Sequence, residues 1–330
     1  MPARLPATKP LIFVGIGEVL FDVFEDGTQA LGGAPLNVAV HAHQLAAPLG
    51  LGEGIVVSSV GSDLHGERLV ASLQGRGMST CYVGADPRHQ TGSVAVFIRN
   101  GEPGYQIAAD AAWDYIVPSE ALDRLAAGSD AVCFGSLAQR SPVSRSTIRR
   151  FLENATLAVR LYDVNLRRNT ITGEEGYNAE IVETSCQLAT IIKANSTELI
   201  TVCKLLGIGL SSDESEGGIR RRLEMLLARF PAKAIVLTRG GEGTVLFTRN
   251  GEISLDVAAI PPEKLHPVGA GDASSAGILF GLALGWAESV AVDLANRMGA
   301  WVASQPPATP ALSDSILDYV REIMRSQSSL

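Results

Sequence analysis

A chain of 330 residues, 46% hydrophobic and 19% charged, can bury one large core with room for a small appendage. Its formal net charge of −8 argues against a nucleic-acid or anionic-membrane partner. Cys81, Cys133, Cys186 and Cys203 lie without CxxC spacing, which points to a reducing compartment and away from a zinc site.

In chain order, residues 1–10 read as a loose tail. Residues 11–17 are a short apolar run ended by glycine, a buried first strand rather than a signal peptide, since the run passes straight into Glu18. Val19 to Phe24, a turn at Glu25-Asp26-Gly27 and Gln29-Ala30-Leu31 form a hairpin-like excursion, and Pro35 to Leu49 is helical. A strand at 55–60 and a helix from Leu64 to Arg76 follow, ended by Gly77. Thr91 to Arg99 alternates, Asn100-Gly101 signals a hairpin turn, and Tyr105-Gln106-Ile107 returns. Strands then alternate with helices: strands at 131–134, 161–164, 188–193 and 234–238, helices at 143–157, 176–186, 197–206 and 217–229. Thr244–Phe247 and Glu252–Leu255 pair through Asn250-Gly251, and helices at 272–286 and 288–303 close the pattern. This rhythm predicts a mostly parallel sheet covered on both faces, with the two early excursions as a small separate sheet. Arg220-Arg221-Arg222 reads as the wet face of an amphipathic helix, and the longest apolar run, Ala276 to Ala287, is too short to span a membrane. A soluble cytoplasmic protein is expected.

Val268-Gly269-Ala270-Gly271-Asp272-Ala273 opens the first of the two late helices. Small residues let the backbone approach a ligand, and the unpaired N–H groups of a helix start favour an anion, most often phosphate. A carboxylate there repels phosphate. It suits a base that takes the proton from a hydroxyl attacking a phosphoryl group. A glycine-rich helix start with Asp272 as its N-terminal charge is the other reading, and on this stretch alone both stay open. No GxxxxGK[ST] phosphate loop occurs.

Five motifs in order resemble the ribokinase-like (PfkB) family of sugar kinases over roughly residues 11–310, with wording closest to fructokinases. They are Gly15-Ile16-Gly17-Glu18-Val19-Leu20-Phe21-Asp22; Gly32-Gly33-Ala34-Pro35-Leu36-Asn37-Val38-Ala39; Asp163-Val164-Asn165-Leu166-Arg167; Lys193-Ala194-Asn195-Ser196-Thr197-Glu198; and a nucleotide group, Leu237-Thr238-Arg239-Gly240-Gly241-Glu242-Gly243 with Asn296. The resemblance implies a three-layer α/β/α ribokinase-like fold in one domain, 11–310. Its small β-sheet lid is built from about 18–34 and 90–115, with tails at 1–10 and 325–330. It implies that Asp22, Gly32, Gly33, Asn37, Asn165 and Arg167 bind the sugar, and that Asn195, Thr238, Arg239, Gly240, Gly243 and Asn296 bind ATP. Glu198 and Asn195 would hold Mg2+ through water. Asp272, Gly269, Ala270, Gly271 and Arg167 would carry the phosphoryl transfer. A homodimer through the lid is implied as well.

Two departures matter. His266-Pro267 stands where the family writes Asp-Thr, and Ser304-Gln305-Pro306-Pro307-Ala308 lacks a glycine, so K+ activation is not expected. No arginine lies between Arg99 and Arg124 to hold an acid sugar, which favours a neutral one, fructose first. 2-Keto-3-deoxygluconate, a pentose or a nucleoside is the nearer alternative acceptor, and a sugar- or nucleotide-binding regulator without catalysis is the more distant one.

Overall fold

The apolar run near the N-terminus is strand β1 (Leu11–Ile16) in the computed structural model, which describes residues 9–99, 102–209, 212–257 and 265–328. The chain leaves β1 into the hairpin β2 (Leu20–Phe24) and β3 (Gln29–Gly32), then enters α1 (Ala34–Ala46), with Pro35 in its first turn. β4 (Gly52–Gly61), α2 (Leu64–Gly75), β5 (Val83–Asp86), β6 (Gly92–Arg99) and β7 (Glu102–Ile107) follow. Next come α3 (Glu120–Gly128), β8 (Ala131–Gly135), α4 (Pro142–Asn154), β9 (Val159–Asp163), α5 (Ala179–Leu188), β10 (Ile191–Asn195), α6 (Ser196–Leu205) and α7 (Glu216–Arg229). β11 (Ala234–Thr238), β12 (Thr244–Thr248), β13 (Gly251–Leu255), α8 (Ala270–Ala283), α9 (Glu288–Ala303) and α10 (Asp314–Ser328) complete it.

Among the described residues nine strands form one sheet in the order β13-β12-β11-β10-β9-β8-β1-β4-β5, parallel except where β12 and β13 join antiparallel at one edge. Its strands are apolar on both sides because both faces are covered. Val14 and Ile16, Val132 and Phe134, and Ile235 and Leu237 face one core, shared with α4 to α7. The alternate residues, Leu11 and Phe13, Ala131 and Cys133, and Ala234 and Val236, face a second, shared with α1, α8, α9 and α10. The excursions form the separate four-stranded sheet expected, ordered β3-β2-β6-β7. β2 and β6, far apart in sequence, pair in parallel at its centre, Leu20 opposite Gly92.

The structure adds three elements to the sequence reading: β5, α3 and α10. β5 is a four-residue edge strand with two exposed residues, too short for a period. α3 is a nine-residue helix whose Ser119 accepts the Leu122 amide, and α10 buries Ile316 and Val320 in the second core. α8 stops before residue 286, because Gly285 takes a left-handed φ of 75° and Trp286 N–H closes onto the Gly281 carbonyl at 2.9 Å. The basic run is not all wet: Arg222 is buried and donates to the Asp213 carbonyl at 2.6 Å. The Asn100-Gly101 turn, residues 1–8, 261–264 of the proline-rich lead-in, and 329–330 lie outside the described residues. Among the described residues no helix is long and apolar enough to cross a membrane.

Candidate active site

Parallel strands end on one edge of the sheet, and α/β folds place their ligands there. β1 ends at Gly17-Glu18, β9 at Asp163 to Arg167 and β10 at Asn195 to Glu198, while the N-termini of α1 and α8 converge on the same edge. The convergence is direct. Asn37, in the first turn of α1, donates from Nδ2 to Oδ2 of Asp272, in the first turn of α8, at 2.8 Å across 235 positions of sequence.

The start of α8 requires its small residues. Gly269 has φ 84°, and a Cβ there would lie 2.4 Å from the Ala308 carbonyl oxygen. No side chain caps the helix, and the Ala270 N–H makes only a long 3.3 Å bond to the Pro267 carbonyl. The first amides and the helix dipole therefore present a positive end beside Asp272. Burial, then the charge of Asp163, push the Asp272 carboxyl up to about 6, against the pull of the Asn37 amide, Lys193 and Arg167. Lys193 on β10 and Asp163 on β9 are register partners, and their buried side chains meet at 2.9 Å. Ser275, one turn along α8, lies 2.9 Å from the same Asp163 oxygen. Burial pulls the Lys193 ammonium down, but Asp163, Asp272 and Glu198 together outweigh it, so the group is held charged behind α8.

Asp22 on β2 faces Gly32 on β3, where a Cβ would come 2.9 Å from its Oδ2. Burial raises Asp22 to about 6 against the pull of Arg167. Gly33 has φ 112°, and its Cβ would meet the Glu18 carbonyl at 2.4 Å, so α1 begins hard against the link between β1 and β2. Asn165 takes φ 36° just past β9, and Arg167 beyond it is exposed, its carbonyl accepting the Gly176 amide at 3.0 Å while its guanidinium makes no hydrogen bond or ion pair to a described residue. Its charge nonetheless acts on Glu18, Asp22, Glu198 and Asp272.

Asn195 and Glu198 form a capping box at the start of α6: Asn195 Oδ1 accepts the Glu198 amide at 2.9 Å, and Glu198 Oε2 accepts the Asn195 amide at 3.0 Å. Glu198 Oε1 accepts the Leu166 amide at 3.2 Å, tying the Asn165–Arg167 loop to β10. Burial raises the Glu198 carboxyl, the Asn195 amide opposing. Thr238 is the register partner of Asn195 on β11. Past it, Arg239 donates to the Glu242 carbonyl and Ser254, both at 3.0 Å, around the tight turn at Gly240 to Gly243. Gly243 packs on Leu255, and Asn296 donates to the carbonyls of Leu255 at 2.8 Å and Asp256 at 3.3 Å. The motif residues thus fall into two joined groups. Asp22, Gly32, Gly33, Asn37, Arg167 and Asp272 gather past the ends of β1 and β9, and Asn195, Thr238, Arg239, Gly240, Gly243 and Asn296 run away from them past β10 and β11 to α9.

Four polar residues here escaped the sequence reading: Glu18, Asp163, Lys193 and Ser275. The first three stand inside the motifs already named, at strand ends, and that position was the available signal. A wide groove of about 740 Å³ lies elsewhere, on the outer face of α4. Its Arg145, Arg149 and Arg150 are paired with Glu180 and Asp123, and it shares no residue with the site.

The sequence model of a family described as pfkB family carbohydrate kinase matches residues 21–314. An uncharacterized sugar kinase of Pyrococcus horikoshii is 27% identical over 336 residues, 95% of this chain and 97% of that one. A Klebsiella pneumoniae fructokinase is 29% identical over 276 residues, 81% and 83% of the two chains. The structure of a Xylella fastidiosa fructokinase with bound ATP shares the fold at a TM-score of 0.77 and 20% identity, covering 96% of this chain and 99% of that one.

Proposed function

This chain belongs to the pfkB family of carbohydrate kinases, and from that premise we propose that it moves the γ-phosphoryl group of ATP to a hydroxyl of a neutral sugar, fructose first. The observation that carries the reading is the 2.8 Å bond from Asn37 to Asp272. It joins the glycine-rich start of α1, on the lid side, to the anion-binding start of α8, and sets a carboxylate between them.

In this reading the sugar lies against Asp22, Gly32, Gly33, Asn37 and Asn165. Asp272 takes the proton of the attacking hydroxyl while the new O–P bond forms. The β–γ bridging bond breaks, and ADP leaves with the electron pair. The amides of Gly269, Ala270 and Gly271 and the guanidinium of Arg167 stabilise the charge that develops on the transferring oxygens. Lys193 supports the same end of α8 from below. Thr238, Arg239, Gly240 and Gly243 line the way to the nucleotide. Asn296 orders its far end by holding the Leu255 and Asp256 carbonyls. Among the described residues no group of three or more His, Cys, Asp or Glu gathers to hold a metal. Mg2+ keeps several waters and takes few carboxylates. Glu198, with Asn195 beside it, would hold the ion through water, and the ion would offset the triphosphate charge. A lid closing over the site would keep water from the γ-phosphate.

A neutral acceptor is favoured because the cation reaching the end of β7, Arg140, is already committed to Asp114 at 2.7 Å and to the Ala108 carbonyl at 2.6 Å. Arg167, exposed and with no described partner for its guanidinium, favours the second reading, an acid sugar such as 2-keto-3-deoxygluconate. Exposed Phe24 and Tyr105 on the lid support a homodimer through it. His266, an imidazole where the family writes an aspartate, supports independence from K+. A coupled ADP-release assay across ketoses, aldoses, acid sugars and nucleosides, run in Na+ and in K+, tests all but the dimer. Fructose should turn over best, at equal rates in the two salts. A preference for acid sugars selects the second reading, a large gain in K+ removes the ion argument, and a one-chain mass by sedimentation removes the dimer.

A further inference from the structure

Glu18 occupies the three-residue link between the main sheet and the small sheet, and the functions above leave it unused. It is only 3% exposed. The amides of Glu18 itself and of Ala34, at the start of α1, act on its carboxyl, yet Oε2 is buried with no hydrogen-bond partner among the described residues. Oδ1 of Asn37, on the same α1 start, is buried and unpartnered too, while its Nδ2 is held by Asp272. Unpaired buried oxygens are rare in folded proteins, and two of them beside the Asp272 carboxyl lack the partner that a ligand hydroxyl would supply. Gly33 lets α1 begin hard against this link, since a Cβ there would lie 2.4 Å from the Glu18 carbonyl, and so holds Asn37 near Glu18.

We propose that Glu18 is a further acceptor-binding residue of this kinase, a neutral carboxyl that donates its proton as a hydrogen bond to a sugar hydroxyl beside Asp272. The inference rests on the sugar-acceptor reading above. The charged and titratable groups facing Glu18 are Arg167 from the loop after β9, Asp272 from α8 and Cys133 from β8. The charge of Asp272 acts against ionisation of Glu18, as neighbouring carboxylates do. Asp272 must be ionised to act as a base, so the proton belongs on Glu18. Burial agrees, pushing Glu18 up to about 7, above Asp272 at about 6. Asp22 then accepts from the sugar and Glu18 donates to it.

The test is the pH profile of kcat/KM for the preferred sugar at saturating MgATP, for the wild type, Glu18→Gln and Glu18→Ala. The wild type should rise through about 6 and fall through about 7. Glu18→Gln keeps a donor and cannot ionise, so the alkaline fall should vanish and its kcat/KM at pH 8 should exceed the wild type's severalfold. A fall that belonged to ATP would persist in the variant. Glu18→Ala should raise the sugar KM roughly tenfold, the loss of one hydrogen bond, and leave the ATP KM unchanged. An alkaline fall that survives in Glu18→Gln overturns the proposal and leaves Glu18 as an N-terminal partner of α1. That variant decides alone if Glu18→Ala does not fold. A wild type that phosphorylates no sugar sinks the acceptor reading itself, and this inference with it.

Discussion

Arg167 is one guanidinium answering to four carboxyls. Burial raises Glu18, Asp22, Glu198 and Asp272 alike, and Arg167 opposes it at each. For Asp272 the consequence is kinetic. Its ionised fraction grows as pH rises through about 6, so kcat should fall on the acid side of that value. Asp272→Asn keeps a partner for Asn37 and removes the base. It should lower kcat roughly a hundredfold or more, with both KM values within a few-fold, because a positioned base contributes on that order. Steady-state kinetics with kcat within a few-fold of wild type would remove Asp272 from the role. Asn37 and Asp272 were legible as candidates because each follows small residues at a helix start, and Asp22 only because it ends a motif, since alone it reads as a strand residue. Asp163 and Lys193 were not. They look like the polar ends of apolar runs, and only the register of β9 against β10, set across 30 residues, brings their charges together.

Elements here carry two duties at once, which is why sequence alone left several motifs undecided between cap and site. Asn195 and Glu198 are a capping box in full geometry and also the bridge from β10 to the Asn165–Arg167 loop. The duties can be separated. Asn195→Ala should cost about 1 kcal/mol in urea unfolding, a typical lost N-cap, and should raise the ATP KM. Asn195→Ser restores a cap oxygen but not the amide's reach, so it should recover the stability and leave the KM raised. Recovery of both in Asn195→Ser would make Asn195 a cap only. The alternation of strand and helix was readable because buried parallel strands are uniformly apolar and end in glycine or polar residues. The strands of the small sheet were readable because their exposed face imposes a period of two. What failed was short or late. β5 and α3 hold too few turns or pleats for a pattern, and α10 lies beyond the last motif. The pairing of β2 with β6 is a tertiary fact that no local pattern encodes.

At the scale of the molecule, the edge of one sheet collects carboxyls that the fold would rather keep neutral, and this sets how stability depends on pH. Glu18 is the clearest case, buried and raised from an ordinary value of 4.5 to about 7. The folded chain holds this proton more tightly than the unfolded chain. Its contribution to stability is therefore complete below about 4.5 and is lost as pH rises through about 7. A shift of that size corresponds to about 3 kcal/mol by the usual conversion, an upper figure for a carboxyl with an arginine nearby. Asp22 and Asp272 shift the same way but are partly open to the cleft, where solvent softens the effect. Removing only the charge isolates the Glu18 share, because every other titrating group is common to the two proteins. Urea unfolding of wild type and Glu18→Gln should agree at pH 4 and diverge as pH rises, the variant reaching up to about 3 kcal/mol more stable at pH 8. A gap independent of pH would mean that Glu18 keeps its charge in the folded protein, stabilised by Arg167 and the start of α1. A gap that opens between pH 4.5 and 7 would mean that the fold gives up stability at neutral pH to keep a buried carboxyl at this position.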